Sequence, residues 1–132
     1  MVYTAIKSMK KILIVEDDPG LLESFQKAFS GRPYELIQAM DGEQGLARMR
    51  AEKPDMVLLD LLLPKKHGFE VLEEMRNDAA LKQMPVMVLT NLENAEDVEK
   101  ALELGATTYL VKANYTLEEI AQKVEEVLES RK

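Results

Sequence analysis

At 132 residues, 46% of them hydrophobic and none of them cysteine, the chain has room for one domain with a real core, and no disulfide framework or thiolate metal site. Its formal net charge of -7 disfavours nucleic acid or an anionic membrane as a direct partner, and any metal must be held by oxygen or by the single histidine, His67. No stretch approaches the roughly 20 apolar residues that span a bilayer; residues 1–9, MVYTAIKSM, lack the apolar centre of a signal peptide and read as a short extension on a cytoplasmic protein.

The first predicted strand covers residues 11–16 and runs into three acids, Glu16, Asp17 and Asp18, followed by Pro19. Asp18 is the natural N-cap of the next helix, because proline is favoured at the first helical position. That helix carries the apolar stripe Leu21, Leu22, Phe25, Ala28 and Phe29 and should stop at Gly31. A second strand follows at 34–38, then a helix around Leu46 and Met49. Pro54 and Asp55 precede a third strand at 56–60, which ends on Asp60 and enters the loop Leu61-Leu62-Leu63-Pro64. A helix around Val71, Leu72 and Met75 leads to Pro85, a fourth strand at 86–89 and then Thr90. A helix around Val98, Ala101 and Leu102 ends near Gly105. The fifth strand, 107–111, is followed by Lys112, and the last helix presents Leu117, Ile120, Val124, Val127 and Leu128 on one face.

Five βα units of this kind, with no internal repeat or linker, predict an α/β, flavodoxin-like, doubly wound sheet of five parallel strands in the order 2-1-3-4-5, with five helices. Strands 1 and 3 then meet at the switch point, where a ligand site is expected above their C-terminal ends.

Fold logic brings Glu16, Asp17 and Asp60 together at that edge. Like charges at such spacing repel by several kcal/mol at protein-like dielectric, so the cluster needs a cation or must hold protons. Mg²⁺ suits it, taking hard oxygen ligands and keeping waters that a phosphate can replace. The two remaining strand ends offer a hydroxyl, Thr90, and an ammonium, Lys112. His67 has no second histidine to pair with and reads as a turn residue before Gly68.

Glu16-Asp17, then D-L-L-L-P-K-K-H-G over residues 60–68, then Thr90, then Tyr109-Leu110-Val111-Lys112, resembles the receiver domain of two-component response regulators. The likeness covers about residues 10–130, and its five parts fall in order on the expected strands. It implies a receiver over residues 10–132, similar to a stand-alone chemotaxis regulator. Asp60 would be the phosphoacceptor, charged by a sensor histidine kinase, a histidine phosphotransfer protein or a small phosphodonor. Asp17 and the Leu62 carbonyl would join Asp60 on Mg²⁺, with Glu16 acting through water. Lys112, Thr90 and the amides of Leu61 and Asn91 would hold the phosphoryl oxygens. Thr90 and Tyr109 would switch the face built from helix 4, strand 5 and helix 5, residues 93–132. The acids Glu96, Glu99, Glu103, Glu118, Glu125 and Glu126 there would favour a basic partner.

Two positions depart from the family pattern. Ala113 stands where proline usually follows the lysine, so the Lys112–Ala113 bond is either trans, moving Lys112 slightly, or strained. Asn91 is larger than the residue usual after the threonine. Leu62 and Leu92 offer no polar group to orient water, which implies slow self-dephosphorylation. The alternatives are an aspartyl-phosphate phosphatase, which would want a second Asp where Leu62 stands, a nucleotide or flavin binder, which would want a glycine-rich loop, and a receiver that docks without phosphate.

Overall fold

A strand buried between two helical layers needs apolar side chains on both faces, and Ile12, Leu13, Ile14 and Val15 are all buried. The computed structural model describes residues 9–130, and of the extension expected over residues 1–9 only Met9 falls within them. Five parallel strands form one sheet: β1 (Lys10–Val15), β2 (Tyr34–Ala39), β3 (Met56–Leu59), β4 (Val86–Thr90) and β5 (Thr108–Val111). Their order is β2-β1-β3-β4-β5, as expected. Five helices connect and follow them: α1 (Pro19–Phe29), α2 (Gly42–Glu52), α3 (Gly68–Arg76), α4 (Ala95–Glu103) and α5 (Leu117–Ser130).

The period-two alternation of strand side chains divides the core in two. Leu13, Val15, Val57, Leu59, Val86 and Val88 pack with residues of α2, α3 and α4. Ile12, Ile14, Met56, Leu58, Met87 and Leu89 pack with Phe25 and Phe29 of α1 and with Ile120, Val124 and Leu128 of α5. Both layers thus exclude water from the strands and leave their C-terminal ends as the polar rim.

Strand limits differ by a residue or so from the expected ones, and at β1 and β3 the reason is local. Glu16 and Asp60 lie one residue beyond their strands, yet the Glu16 amide donates to the Ala39 carbonyl at 2.9 Å and the Asp60 amide to Val15 at 3.1 Å. The backbone ladder therefore still anchors both acids where the regular strands stop. Asp18 caps α1 as predicted, its Oδ1 accepting from the amides of Gly20 at 2.9 Å and Leu21 at 3.3 Å.

Candidate functional site

Register explains why distant residues meet. Val15 pairs with Leu59 across β1 and β3, so the residues that follow, Glu16 and Asp60, emerge side by side. Thr90 pairs with Val111 across β4 and β5, which puts Lys112 at the same edge. From there the Lys112 ammonium donates to Oδ2 of Asp60 at 2.7 Å and to Oε2 of Glu16 at 2.6 Å. A carboxylate oxygen from each of Glu16, Asp17 and Asp60 lies within 4.8 Å of the others.

Burial sets the electrostatics of this cluster. Glu16 is 4% exposed and Asp60 7%, whereas Asp17 faces solvent. Burial pushes the Glu16 carboxyl up to about 7; the Lys112 hydrogen bond opposes that rise, and the nearby Asp60 charge adds to it. For Lys112, burial acts to lower the pKa, but its hydrogen bonds to Asp60 and Glu16 outweigh this and leave it raised. One cation thus faces three acids, and the surplus of hard oxygen is a donor set that could hold a divalent metal ion.

The remaining expected residues are placed as follows. Leu62 is half exposed, and its amide donates to Oδ1 of Asp60 at 3.2 Å. Thr90 is fully buried as the last residue of β4, its Oγ1 accepting from the Leu92 amide at 3.5 Å. The Tyr109 hydroxyl donates to the Leu92 carbonyl at 2.6 Å, and its half-buried ring packs on the α2–α4 side of the core. Burial, then the charges of Asp97 and Asp60, raise its pKa. His67 caps α3: its Nδ1 accepts from the Phe69 amide at 3.1 Å, and Glu70 Oε1 accepts from the His67 amide at 3.3 Å.

Every peptide bond among the described residues is trans, so the trans reading of Lys112–Ala113 holds. Lys112 opens a single 3-10 turn, residues Lys112–Asn114, and its ammonium still reaches both acids. Of the acids expected to form a readout surface, Glu118 and Glu125 pair instead with Arg32, at 3.0 and 2.9 Å. That contact ties α5 to the turn after α1.

Two supporting residues were not identified as such from the sequence. The Gly68 amide donates to the Leu61 carbonyl at 2.8 Å, and a Cβ at Gly68 would fall 2.5 Å from Leu61 Cα. The start of α3 can therefore press against the loop after Asp60 only with glycine there. The signal was the glycine next to a helix-starting residue. Asn91, singled out in the sequence only for its size, accepts through Oδ1 from the Ala113 amide at 3.2 Å.

Residues 12–125 match the response regulator receiver domain, and the chain belongs to that family. It is 41% identical over 123 residues to the transcriptional regulatory protein CiaR of Streptococcus pneumoniae, covering 91% of this chain and 52% of CiaR. It is 34% identical over 119 residues to the alkaline phosphatase synthesis transcriptional regulatory protein PhoP of Bacillus subtilis, covering 90% and 48%. The chain thus spans about half the length of the curated relatives it matches. Among solved structures, the Mn²⁺-bound form of response regulator Rcp1 is 36% identical with a TM-score of 0.78, covering 88% of this chain and 91% of that one. A CheY-like receiver domain protein of Methanospirillum hungatei is 29% identical with a TM-score of 0.85, covering 93% and 96%. The chain is a receiver domain of the two-component signalling type, a signalling domain whose fold is flavodoxin-like. No helix among the described residues is long and apolar enough to cross a membrane.

Proposed function

We propose that Asp60 is the phosphoacceptor of this receiver and that residues 10–132 form the responding unit. The observation that carries this is the convergence of Lys112 and Glu16 on Asp60, with Asp17 beside them. An Asp60 carboxylate oxygen attacks phosphorus, and the bond from phosphorus to the donor breaks, its electron pair leaving with the donor's imidazole nitrogen or acyl oxygen. Lys112 moves its hydrogen bonds to the phosphoryl oxygens, where the Thr90 hydroxyl and the amides of Leu61 and Asn91 also donate.

The acid cluster fits a divalent ion, which Asp17, Asp60 and the Leu62 carbonyl would hold directly, with Glu16 acting through water. Mg²⁺ bound there would neutralise charge between the carboxylate and the incoming phosphate. The buried Glu16 would respond through its bond to Lys112, and the exposed Asp17 is the acid most free to adjust.

The donor is a sensor histidine kinase or a histidine phosphotransfer protein, with a small acyl phosphate as substitute, which places the work in the cytoplasm. His67 is committed to the α3 cap and is not the donor. Phosphate on Asp60 draws Thr90 towards it and lets Tyr109 turn further inward, which alters the face made by α4, β5 and α5. Glu96, Glu99 and Glu103 favour a basic protein partner there, whereas the net charge of -7 disfavours nucleic acid.

Incubation with acetyl phosphate and Mg²⁺, followed by intact-mass analysis, tests the proposal. The expected result is a gain of one phosphoryl group that Asp60→Asn abolishes. No gain, or an equal gain in Asp60→Asn, overturns it.

A further inference from the structure

Asn91 and Ala113, 22 positions apart in the chain, touch each other. The residue after Lys112 carries an amide proton because it is alanine and not proline. That N–H donates to Oδ1 of Asn91 at 3.2 Å. Thr90 immediately precedes Asn91 and Lys112 immediately precedes Ala113, so one hydrogen bond links the two loops that carry the phosphate-facing hydroxyl and ammonium.

The next residue of the β4–α4 loop, Leu92, is held at both its amide and its carbonyl. Leu92 donates through its amide to Thr90 Oγ1 at 3.5 Å and accepts through its carbonyl from the Tyr109 hydroxyl at 2.6 Å. Asn91 lies between Thr90, the last residue of β4, and the tethered Leu92, so its side chain is aimed by a backbone held on either side. On the other loop, Ala113 is the middle residue of the turn that Lys112 opens, and Tyr115 closes that turn by donating to the Lys112 carbonyl at 3.3 Å. A proline ring would restrict this turn from within the chain; here Asn91 restricts it from outside.

We infer that Asn91 is a positioning residue: its carboxamide clips the Lys112 loop to the Thr90 loop and holds the ammonium at phosphoryl distance from Asp60. This rests on the reading of Asp60 as phosphoacceptor. Asn91 also confers bulk, so two variants are needed. Asn91→Leu keeps the volume and removes the acceptor, and Asn91→Ala removes both.

Two readouts test the clip. The first needs no phosphate: the Ala113 amide resonance in metal-free protein should shift upfield, and its hydrogen exchange should accelerate, in both variants. The second is phosphorylation by acetyl phosphate in Mg²⁺. Both variants should show a half-saturating donor concentration raised about threefold, the effect of one exposed hydrogen bond, with little change in maximal rate. In an Ala113→Pro background, where the donor is gone, Asn91→Leu should have no further effect. An unchanged Ala113 amide in Asn91→Leu overturns the inference, as does an Asn91→Leu effect that persists in Ala113→Pro. If the wild-type protein takes no phosphate on Asp60, the reading of Asp60 falls, while the amide measurements still decide whether the clip exists.

Discussion

The ammonium of Lys112 stands 2.7 Å from Oδ2 of Asp60, although the two residues are 52 positions apart and their strands are separated by β4. The same ammonium is 2.6 Å from Glu16, so a single cation balances two buried acids. Lys112→Met keeps the length of the stem and leaves that pair uncompensated. It should destabilise the metal-free protein at neutral pH by about 3 kcal/mol, the scale of removing one partner from a buried ion pair. Added MgCl₂ should narrow the deficit, as read by urea unfolding with and without the salt.

The run Glu16-Asp17-Asp18 divides by role. Asp18→Ala removes the α1 cap and should cost about 1 kcal/mol of stability while leaving divalent-ion binding unchanged. Asp17→Asn should do the reverse, with stability close to wild type and Mg²⁺ affinity strongly reduced by calorimetry. Equal loss of Mg²⁺ affinity in both variants would contradict the division.

Gly68 packs directly against the residue that follows Asp60. A Cβ there would lie 2.5 Å from Leu61 Cα and 2.8 Å from the Asp60 carbonyl oxygen. Gly68→Ala should therefore cost about 1–3 kcal/mol through forced backbone movement and slow phosphorylation as well. Chemical denaturation and an acetyl phosphate time course check the two effects together.

The start of α5 carries a pH-dependent cap. The Thr116 amide donates to Glu119 at 2.9 Å and the Glu119 amide to Thr116 Oγ1 at 3.1 Å. The backbone hydrogen bond from Thr116, then its side chain, lowers the Glu119 pKa below its ordinary value. A folded-state pKa below the unfolded one gives stabilisation that is present above the usual carboxylate range and lost as pH falls through the lowered value. Glu119→Gln should thus be less stable than wild type at neutral pH, with the difference closing in acid.

Leu62, 52% exposed beside Asp60, offers no polar atom from its side chain to aim a water at the phosphorus. The phosphorylated protein should lose phosphate slowly in Mg²⁺, and Leu62→Asn should accelerate the loss severalfold, followed by intact mass over time.

The fold could be read from the chain because its signals are local. Apolar runs of four residues in β1 and β3, Asp18 before Pro19, and Gly31 and Gly105 at helix ends, both with positive φ, each decide structure within a few residues. That Glu16, Asp17, Asp60 and Lys112 would share one edge could be read too, since strand order puts every C-terminal end there. Their pairing could not. Which acid Lys112 would join depends on side-chain reach across β4, and Glu16 lies 96 positions away. Arg32 draws Glu118 and Glu125 into a contact with the α1 side for the same reason. Asn91 and Ala113, noted separately for size and for the missing proline, are joined by one hydrogen bond across 22 positions.

On the proposed function, Asp60 alone among the acids at this edge becomes an acyl phosphate. Borohydride reduction of the phosphorylated protein converts such a residue to homoserine, which peptide mass mapping places in the sequence. Homoserine is expected at position 60 and nowhere else, dependent on Mg²⁺. Homoserine at Asp17, or a phosphoryl group that survives borohydride on another side chain, would contradict it.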